Sequence, residues 1–367
     1  MTSPFADRLF RVSFALAAVY NLAFGLWAAI WPLAFFDWFN IAPPRYPGIW
    51  ACLGMVVGVY GLLYAHAAWK RETAWPIIAV GLLGKILGPV GMALNFSEDW
   101  PLRLGMLCVW NDLIWWLPFG LFLIRGTNVG RRIAGSAPAV CALLHVFGIA
   151  AMALLLRGGT VSEPDLATRA QYIAAHPVGW AVGWGTWMLA ALSIVGFYAW
   201  WGATLSNAPK TNVLPLPPGE GRGEGLLAYT KTVATVAVLL AAAGMVCDLT
   251  GESINVLILG DQVAKSLRDS DARFSVKLPY DVEYLATLLT AGAANLFYTL
   301  GGMILMFATP DLPKSIRSAM WVTWVAGILM SISAVASFIP GLVAGTVVLF
   351  PLLILWVIWM GLRWRRA

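Results

Sequence analysis

The sequence carries very few charged side chains. Charged residues make up 11% of the 367 residues, hydrophobic residues make up 60%, and the mean hydropathy is +0.77. A typical soluble domain has about 25% charged residues. The 24 basic residues outnumber the 18 acidic ones, but they form no basic block with interleaved aromatic side chains. This composition excludes a nucleic-acid-binding surface and predicts a multi-pass membrane protein whose main partner is the lipid bilayer.

The sequence also lacks the common signatures of metal centres, cofactor sites and hydrolases. Its four cysteines lie inside apolar runs without a CxxC pair, and its three histidines form neither HExxH nor ExxH. It has no P-loop, no GxSxG motif and no convincing GxGxxG. His66 and His145 could serve as axial haem ligands in principle, but two histidines on separate helices give little support to a haem site. We therefore predict no metal and no cofactor, and we favour a protein that is not an enzyme.

Long apolar runs are abundant. A helical crossing of a bilayer needs about 20 apolar residues. Applied to this chain, that length predicts an all-α, polytopic integral membrane bundle of ten transmembrane helices, the last two joined by a tight turn at Pro340-Gly341. The predicted spans are residues 12–35, 48–68, 75–95, 104–124, 138–156, 178–202, 231–256, 284–308, 319–338 and 342–361.

The basic residues are distributed unequally between the two ends of these helices. Fifteen of the 24 lie at the end that carries both termini, eight lie at the other end, and Lys85 lies within a span. Membrane proteins keep an excess of Lys and Arg on the cytoplasmic side. The distribution predicts cytoplasmic N- and C-termini, and we expect the protein to lie in the inner (cytoplasmic) membrane of a bacterium.

Breaks in the apolar pattern divide the chain into modules. The stretch LSNAPKTNVLPLPPGEGRGEGLLA is rich in Pro and Gly, has no periodicity and is typical of a linker. We predict a four-helix module at residues 1–125, a cytoplasmic connector at 126–137, the first helix pair of a six-helix module at 138–204, a cytoplasmic linker at 205–228 and four further helices at 229–367.

Two loops on the predicted outer side are long enough to fold. In SEPDLATRAQYIAAHP, Ser162 can cap a short helix and Asp165 complements its positive end. Pro164 suits the first turn, and His176-Pro177 ends the helix. We predict a similar element in GDQVAKSLRDSDARFSVKLPYD.

Two stretches resemble known types of membrane protein. LATRAQYIAAHPVGWAVGWGTWMLAAL, at residues 166–192, resembles segments of uncharacterised bacterial multi-pass membrane proteins, and the resemblance extends over the six-span part of the chain. NDLIWWLPF, at residues 111–119, resembles a segment of a small uncharacterised four-span type. The resemblance implies a fusion of a four-span and a six-span module, and it implies no activity.

The seventh predicted span, LLAAAGMVCDLTGESINVLIL, carries two acids in a run long enough to cross a bilayer. Asp248 and Glu252 are four residues apart and share one helix face, which Asn255 extends. Glu283 begins the next span and His176 lies at the end of the sixth, so all five could form one polar site. Such a site could bind a cation, relay protons or hold a metal. The competing interpretation is that Glu252, Glu283 and His176 only reach interfacial water, which leaves Asp248 as the one buried acid.

The third predicted span, GLLGKILGPVGMAL, contains the only intramembrane lysine. Lys85 shares a helix face with Gly88, where a neighbouring helix can approach closely, and Asp112 lies at a comparable depth in the fourth span. Asn21 and Asn111 could complete the network. The functional interpretation is a relay or a clamp on a polar headgroup. The structural interpretation, which we favour, is an ion pair that fixes helix packing.

Three functions remain open from the sequence. The leading hypothesis is a transporter-like protein that binds a small solute or ion at the acids of the seventh span. The second is a membrane-embedded enzyme that acts on a lipid or isoprenoid. The third is a non-catalytic scaffold whose buried charges only fix helix packing. The sequence contains nothing that predicts an oligomeric state.

Overall fold

The computed structural model describes residues 4–94, 104–125, 127–163, 165–207, 222–260, 263, 280–309 and 311–364. Within these residues the regular structure is entirely helical. In chain order the α-helices are α1 (Pro4–Ile30), α2 (Ala34–Phe39), α3 (Pro47–Trp69), α4 (Ala74–Leu94), α5 (Gly105–Leu107), α6 (Ile114–Leu123), α7 (Asn128–Ala151), α8 (Leu166–Ala175), α9 (Pro177–Asn207), α10 (Arg222–Ser253), α11 (Tyr280–Thr287), α12 (Asn295–Ala308), α13 (Lys314–Val335) and α14 (Ile339–Trp364).

Nine helical segments in the described part of the chain are long and apolar enough to cross a membrane. They cover nine of the ten predicted spans, and the remaining one, residues 104–124, contains a shorter apolar helix, Cys108–Leu123. Large apolar side chains cover their outer surfaces; Leu26 is 61% exposed and Leu355 is 64% exposed. A helical bundle presents such a surface to lipid, so the chain has the architecture of a multi-pass membrane protein.

Proline and turn geometry shift two predicted boundaries. The first predicted span runs to residue 35, but α1 ends at Ile30 because Pro32 lacks the N–H group that would continue the helix. The predicted turn at Pro340-Gly341 is also wrong. The chain reverses at residues 336–338, where Ser337 adopts a left-handed conformation with φ of 52°. Pro340 lies in the first turn of α14, a position that needs no N–H donor.

The chain forms two compact units, Met1–Arg131 and Arg132–Ala367, which are called unit 1 and unit 2. Residues 128–137, predicted as part of a connector, are the first turns of α7. The ends of the predicted linker at 205–228 are helical in α9 and α10, whereas its middle lies outside the described residues, as does most of the second long loop.

Glycines allow α1 and α3 of unit 1 to pack closely. A Cβ added to Gly25 would lie 2.6 Å from Cα of Gly58, and one added to Gly54 would lie 2.6 Å from Cβ of Ala28. Small residues at a crossing let helix backbones approach, and this van der Waals packing replaces the hydrophobic effect inside a membrane. The neighbouring core combines small residues with buried aromatic rings, among them Phe14, Tyr64, Phe119 and Phe122.

Helix α10 is central to unit 2, where it packs against α9 and α12. A Cβ added to Gly301 of α12 would lie 2.8 Å from the carbonyl oxygen of Ala237 on α10, so glycine again permits a close crossing. At the end of the unit away from α8, buried aromatic rings fill the interior: Phe197, Trp201, Trp324 and Trp356. The unit is therefore packed solidly at that end.

In the part of the chain that the structure describes, four short π-helical segments interrupt the long helices. They are Cys108–Leu113 before α6, Met152–Leu156 after α7, Ile254–Leu259 after α10 and Leu288–Ala294 before α12. A π-helical turn disturbs the regular hydrogen-bond ladder and is frequent at functional sites. The first segment contains Asn111 and Asp112, and the other three belong to unit 2.

Candidate functional site

Unit 2 encloses an elongated cavity of about 580 Å³. It follows one face of α9 from Trp180 to Tyr198. These residues are 18 positions apart, which corresponds to about 27 Å at the helical rise of 1.5 Å per residue. The hydrocarbon core of a bilayer is about 30 Å thick. The cavity therefore extends over most of the depth of a membrane, and its volume is in the usual range for small-molecule sites, about 300 to 1,000 Å³.

The cavity has two chemically different walls. The first wall is aromatic and is formed by α9, α13 and α14, with Trp180, Trp184, Trp187, Phe197, Trp324 and Phe350. The second wall is polar and is formed by α10, α11, α12 and the π segments next to them, with Asp248, Glu252, Asn255, Thr287, Thr290, Asn295, Tyr298 and Thr299. A ligand that suits both walls must combine an apolar body with a polar group.

The π segments of unit 2 contribute to this cavity, and side chains satisfy some of their carbonyl groups. Trp180 Nε1 donates to the backbone oxygen of Asn255 at 2.9 Å, and Asn295 Nδ2 donates to the backbone oxygen of Thr290 at 3.1 Å. Both acceptors lie within π segments. One of these π segments is thus held by a neighbouring helix and the other by the first residue of the helix that follows it, which satisfies the carbonyl groups as an apolar environment requires.

Asp248 lies on the polar wall and is partly accessible. It accepts a hydrogen bond from the hydroxyl group of Tyr298 at 3.2 Å. Tyr298 is fixed on two sides, since Tyr198 donates to its backbone oxygen at 2.7 Å and Gly244 leaves room for its ring. Substituting Gly244 would place a Cβ 2.8 Å from that ring. The position of the Asp248 carboxylate is therefore set by three helices.

Glu252 lies one turn further along α10 and is the more buried of the two acids. Its residue is only 2% exposed, yet it lines the cavity. Oε2 of Glu252 has no hydrogen-bond partner among the described residues. The interpretation that Glu252 reaches interfacial water while Asp248 alone is buried is therefore wrong, because neighbouring helices cover Glu252. A buried carboxyl oxygen without a partner is costly and suggests that a ligand or proton completes the site.

Glu283 also lines the cavity, at the end next to α8, but its charge is already paired. Arg169 of α8 forms an ion pair with it through Nη2 and Oε1, and Arg169 Nε donates to the backbone oxygen of Gly159 at 3.3 Å. Burial lowers the pKa of Arg169 to about 10, so the guanidinium group stays charged at neutral pH. Glu283 is therefore neutralised by a cation of the short helix α8.

Helix α8 differs from the prediction in its cap and in the role of His176. Asp165, not Ser162, is the N-cap, because its side chain accepts from the backbone N–H of Thr168 at 2.9 Å. The helix ends at Ala175 as expected. His176 is exposed and stacks on Tyr172, and it does not line the cavity. It therefore does not join the acids in one cluster.

His145 lies deep in the cavity wall and is 1% exposed. Its Nδ1 is 2.7 Å from the backbone oxygen of Cys141, and this geometry requires an Nδ1–H donor. Nδ1 therefore has no lone pair to accept a proton from the thiol of Cys141, 3.7 Å away. Among the described residues no group of three His, Cys, Asp or Glu side chains could hold a metal ion.

The second polar centre lies in unit 1 and includes the pair expected from the sequence. Lys85 Nζ is 3.9 Å from Oδ1 of Asp112 and donates to Oδ1 of Asn111 at 3.0 Å. Asn111 Nδ2 in turn donates to Oδ1 of Asp112 at 2.9 Å. Lys85 also lies 5.8 Å from the ring centroid of Tyr20, within cation–π range. The cation, the amide and the carboxylate thus form a closed network.

Gly88 lies against this network, whereas the side-chain oxygen of Asn21 is not bonded to it. A Cβ added to Gly88 would lie 2.8 Å from Oδ2 of Asp112, so the expected close approach at this glycine is confirmed. Asn21 is buried, at 2% exposure, but its Oδ1 accepts no hydrogen bond from the described residues. The structure therefore shows Asn111 as part of the network and shows no such bond for the Asn21 oxygen.

Comparison of the chain with protein-family models, with curated proteins and with solved structures finds no match. Support for a function therefore comes from the two polar centres, the acids of the unit 2 cavity and the Lys85 network of unit 1. Sequence reasoning missed Arg169 and Tyr298 as partners of the acids. The signal for Arg169 was its position one turn before Ile173, which places a cation on the apolar face of a short helix.

Proposed function

We propose that the chain is a ten-helix protein of the inner membrane, with both termini in the cytoplasm, and that unit 2 binds a small solute in a transporter-like manner. Asp248 and Glu252 form the charged part of the site, and the aromatic wall holds the rest of the ligand. In this orientation α8 lies on the outer side, and the cavity extends inward from it. Lys85 and Asp112 fix the packing of unit 1.

The observation that carries this proposal is the buried Oε2 of Glu252, which has no hydrogen-bond partner among the described residues although Glu252 lines the cavity. Acids that only fix helix packing have their hydrogen bonds and charge satisfied by the protein, as Asp112 does. Glu252 has neither a cation nor a hydrogen-bond donor at this oxygen in the described residues. A scaffold would gain nothing from such a residue, whereas a binding site leaves a hydrogen-bond acceptor for its ligand to satisfy.

The enzyme hypothesis receives less support from the cavity. The most obvious nucleophile and base on its wall are Cys141 and His145, and the His145 ring directs its Nδ1–H to a backbone oxygen instead of accepting from the thiol. Asp248 accepts a hydrogen bond from Tyr298, and in the described part of the chain no acid or base is hydrogen-bonded to it. Binding and passage of a solute is therefore the function that the site supports best.

Accessibility of single cysteines tests this proposal. The four native cysteines are replaced by alanine, and Thr290→Cys on the polar wall is compared with Leu296→Cys, an apolar residue 40% exposed on the bundle surface. In sealed vesicles, a positively charged, membrane-impermeant thiol reagent is expected to modify the cysteine at 290 from one side and to leave the cysteine at 296 unmodified in lipid.

Failure of the reagent to reach position 290 from either side would contradict the proposal, provided that denaturation exposes the thiol to reaction. The side from which labelling occurs tests the orientation separately. Labelling from the outer side agrees with cytoplasmic termini, and labelling only from the cytoplasmic side contradicts them.

A further inference from the structure

Two carboxyl groups of the cavity have no basic side chain beside them among the described lining residues. They belong to Asp248 and Glu252, whereas Glu283 is neutralised by Arg169. Arg157 is the one Lys or Arg among the described lining residues, and it is an exposed residue at the end next to α8. A cationic ligand would therefore find two carboxyl groups without a nearby competing cation of the protein.

The aromatic wall of the cavity offers the second feature that a cationic organic ligand requires. Trp180, Trp184 and Trp187 lie on one face of α9, at the spacing of successive helical turns, and Trp324 of α13 joins them. Aromatic faces attract ammonium groups, and tryptophan does so most strongly. These rings also provide a broad apolar surface for a hydrocarbon body. An inorganic cation would leave this wall unused.

The shape of the cavity limits the ligand further. A volume of about 580 Å³ that extends along α9 from Trp180 to Tyr198 is long and narrow. It suits an extended molecule better than a compact one. An anionic lipid would place its charge beside two acids, and a neutral lipid would offer the Glu252 carboxyl group at most a hydrogen bond and no positive charge.

We infer that the ligand is an elongated lipophilic cation, with an organic ammonium group at Asp248 and Glu252 and an apolar tail along the tryptophan wall. This inference rests on the proposed function, because it names the ligand class of the same site. The ammonium group gives the Glu252 carboxyl group a positively charged partner, and the tail displaces water from the aromatic wall. Both contacts are made within unit 2.

Three compounds with the same ten-carbon chain test the inference: decylammonium, decanol and decanoate. Their binding to the full-length protein in lipid nanodiscs is measured by calorimetry, with empty nanodiscs subtracted to remove partition into lipid. We expect the cation to bind at least about tenfold more tightly than decanol or decanoate, a difference of about 1.4 kcal/mol or more.

Two isosteric variants locate the charge dependence. Glu252→Gln should weaken binding of the cation at least tenfold and leave binding of decanol unchanged. Glu72→Gln removes an exposed carboxylate of unit 1 and serves as the matched control, with no expected effect on either compound. Purified Glu252→Gln protein that elutes as a single species and retains its helical content shows that the loss is not caused by misfolding.

The results separate this inference from the proposed function. Equal binding of the three compounds, or no binding of any while the cysteine at position 290 reacts, overturns the ligand class and leaves the solute-binding function intact. A cation affinity that Glu252→Gln does not change also overturns it. If the cysteine at 290 is inaccessible and none of the compounds binds, both proposals fail.

Discussion

The two polar centres differ in how their charges are balanced. In unit 1 Lys85, Asn111 and Asp112 satisfy one another inside a helix bundle, with Lys85 and Asp112 only 6% and 4% exposed. In unit 2 Glu252 lines a cavity and is buried to a similar degree, but its Oε2 has no partner among the described residues. Burial of an ionisable group therefore does not by itself identify a functional site; the distinguishing feature is whether the protein satisfies it.

The largest effect is expected from breaking the balanced centre. Lys85→Met removes the cation and leaves Asp112 buried beside Asn111, so the free energy of unfolding should fall by about 3 to 5 kcal/mol. Titration with a denaturing detergent measures this change. Adding Asp112→Asn to Lys85→Met should recover part of the loss, because it removes the unpaired charge. A double variant no more stable than Lys85→Met would show that the two charges do not act as a pair.

The Arg169–Glu283 pair is the balanced element of unit 2. Arg169→Gln should lower the free energy of unfolding by about 3 kcal/mol, because Glu283 loses its buried counter-charge. Arg157→Gln removes an exposed cation from the same end of the unit and should change stability by less than about 0.5 kcal/mol. Equal effects of the two substitutions would mean that the ion pair does not stabilise unit 2.

A smaller effect is expected from the glycine beside Asp112. Gly88→Ala places a methyl group 2.8 Å from Oδ2 of Asp112 and should cost about 1 to 2 kcal/mol by displacing the carboxylate from Lys85. Gly84→Ala on the same helix meets no atom within 4 Å and should be neutral or slightly stabilising, since alanine favours a helix. The contrast is measured in the same unfolding assay, and a Gly84→Ala loss equal to that of Gly88→Ala would refute the steric argument.

The sequence was sufficient for the elements that depend on local pattern. Apolar runs of sufficient length predicted nine of the long helices, because the bilayer sets a length that the sequence must match. Residue depth in the predicted spans brought Lys85 and Asp112 together correctly. Spacing along one helix placed Asp248 and Glu252 on the same face, and both line the cavity.

Features that depend on a partner far away in the chain could not be predicted from the local sequence pattern. Arg169 and Glu283 are 114 residues apart in the chain, and their pairing follows from how α8 packs. The π segments are stabilised by donors on other helices, such as Trp180 for Asn255. The greater burial of Glu252 relative to Asp248 likewise depends on which helix covers each acid. The spacing of the two acids along one helix does not show which is more buried, so the sequence pointed to Asp248, whereas Glu252 is the more buried acid.

The most direct test of the central comparison uses two isosteric substitutions that each neutralise one buried carboxylate. Asp112→Asn and Glu252→Gln are measured in the same detergent titration as the wild-type protein. We predict that Asp112→Asn lowers the free energy of unfolding by about 3 kcal/mol or more, because Lys85 loses its counter-charge. Glu252→Gln should leave it unchanged within about 0.5 kcal/mol or raise it, because Oε2 has no partner to lose among the described residues. A loss for Glu252→Gln as large as that for Asp112→Asn would contradict the account.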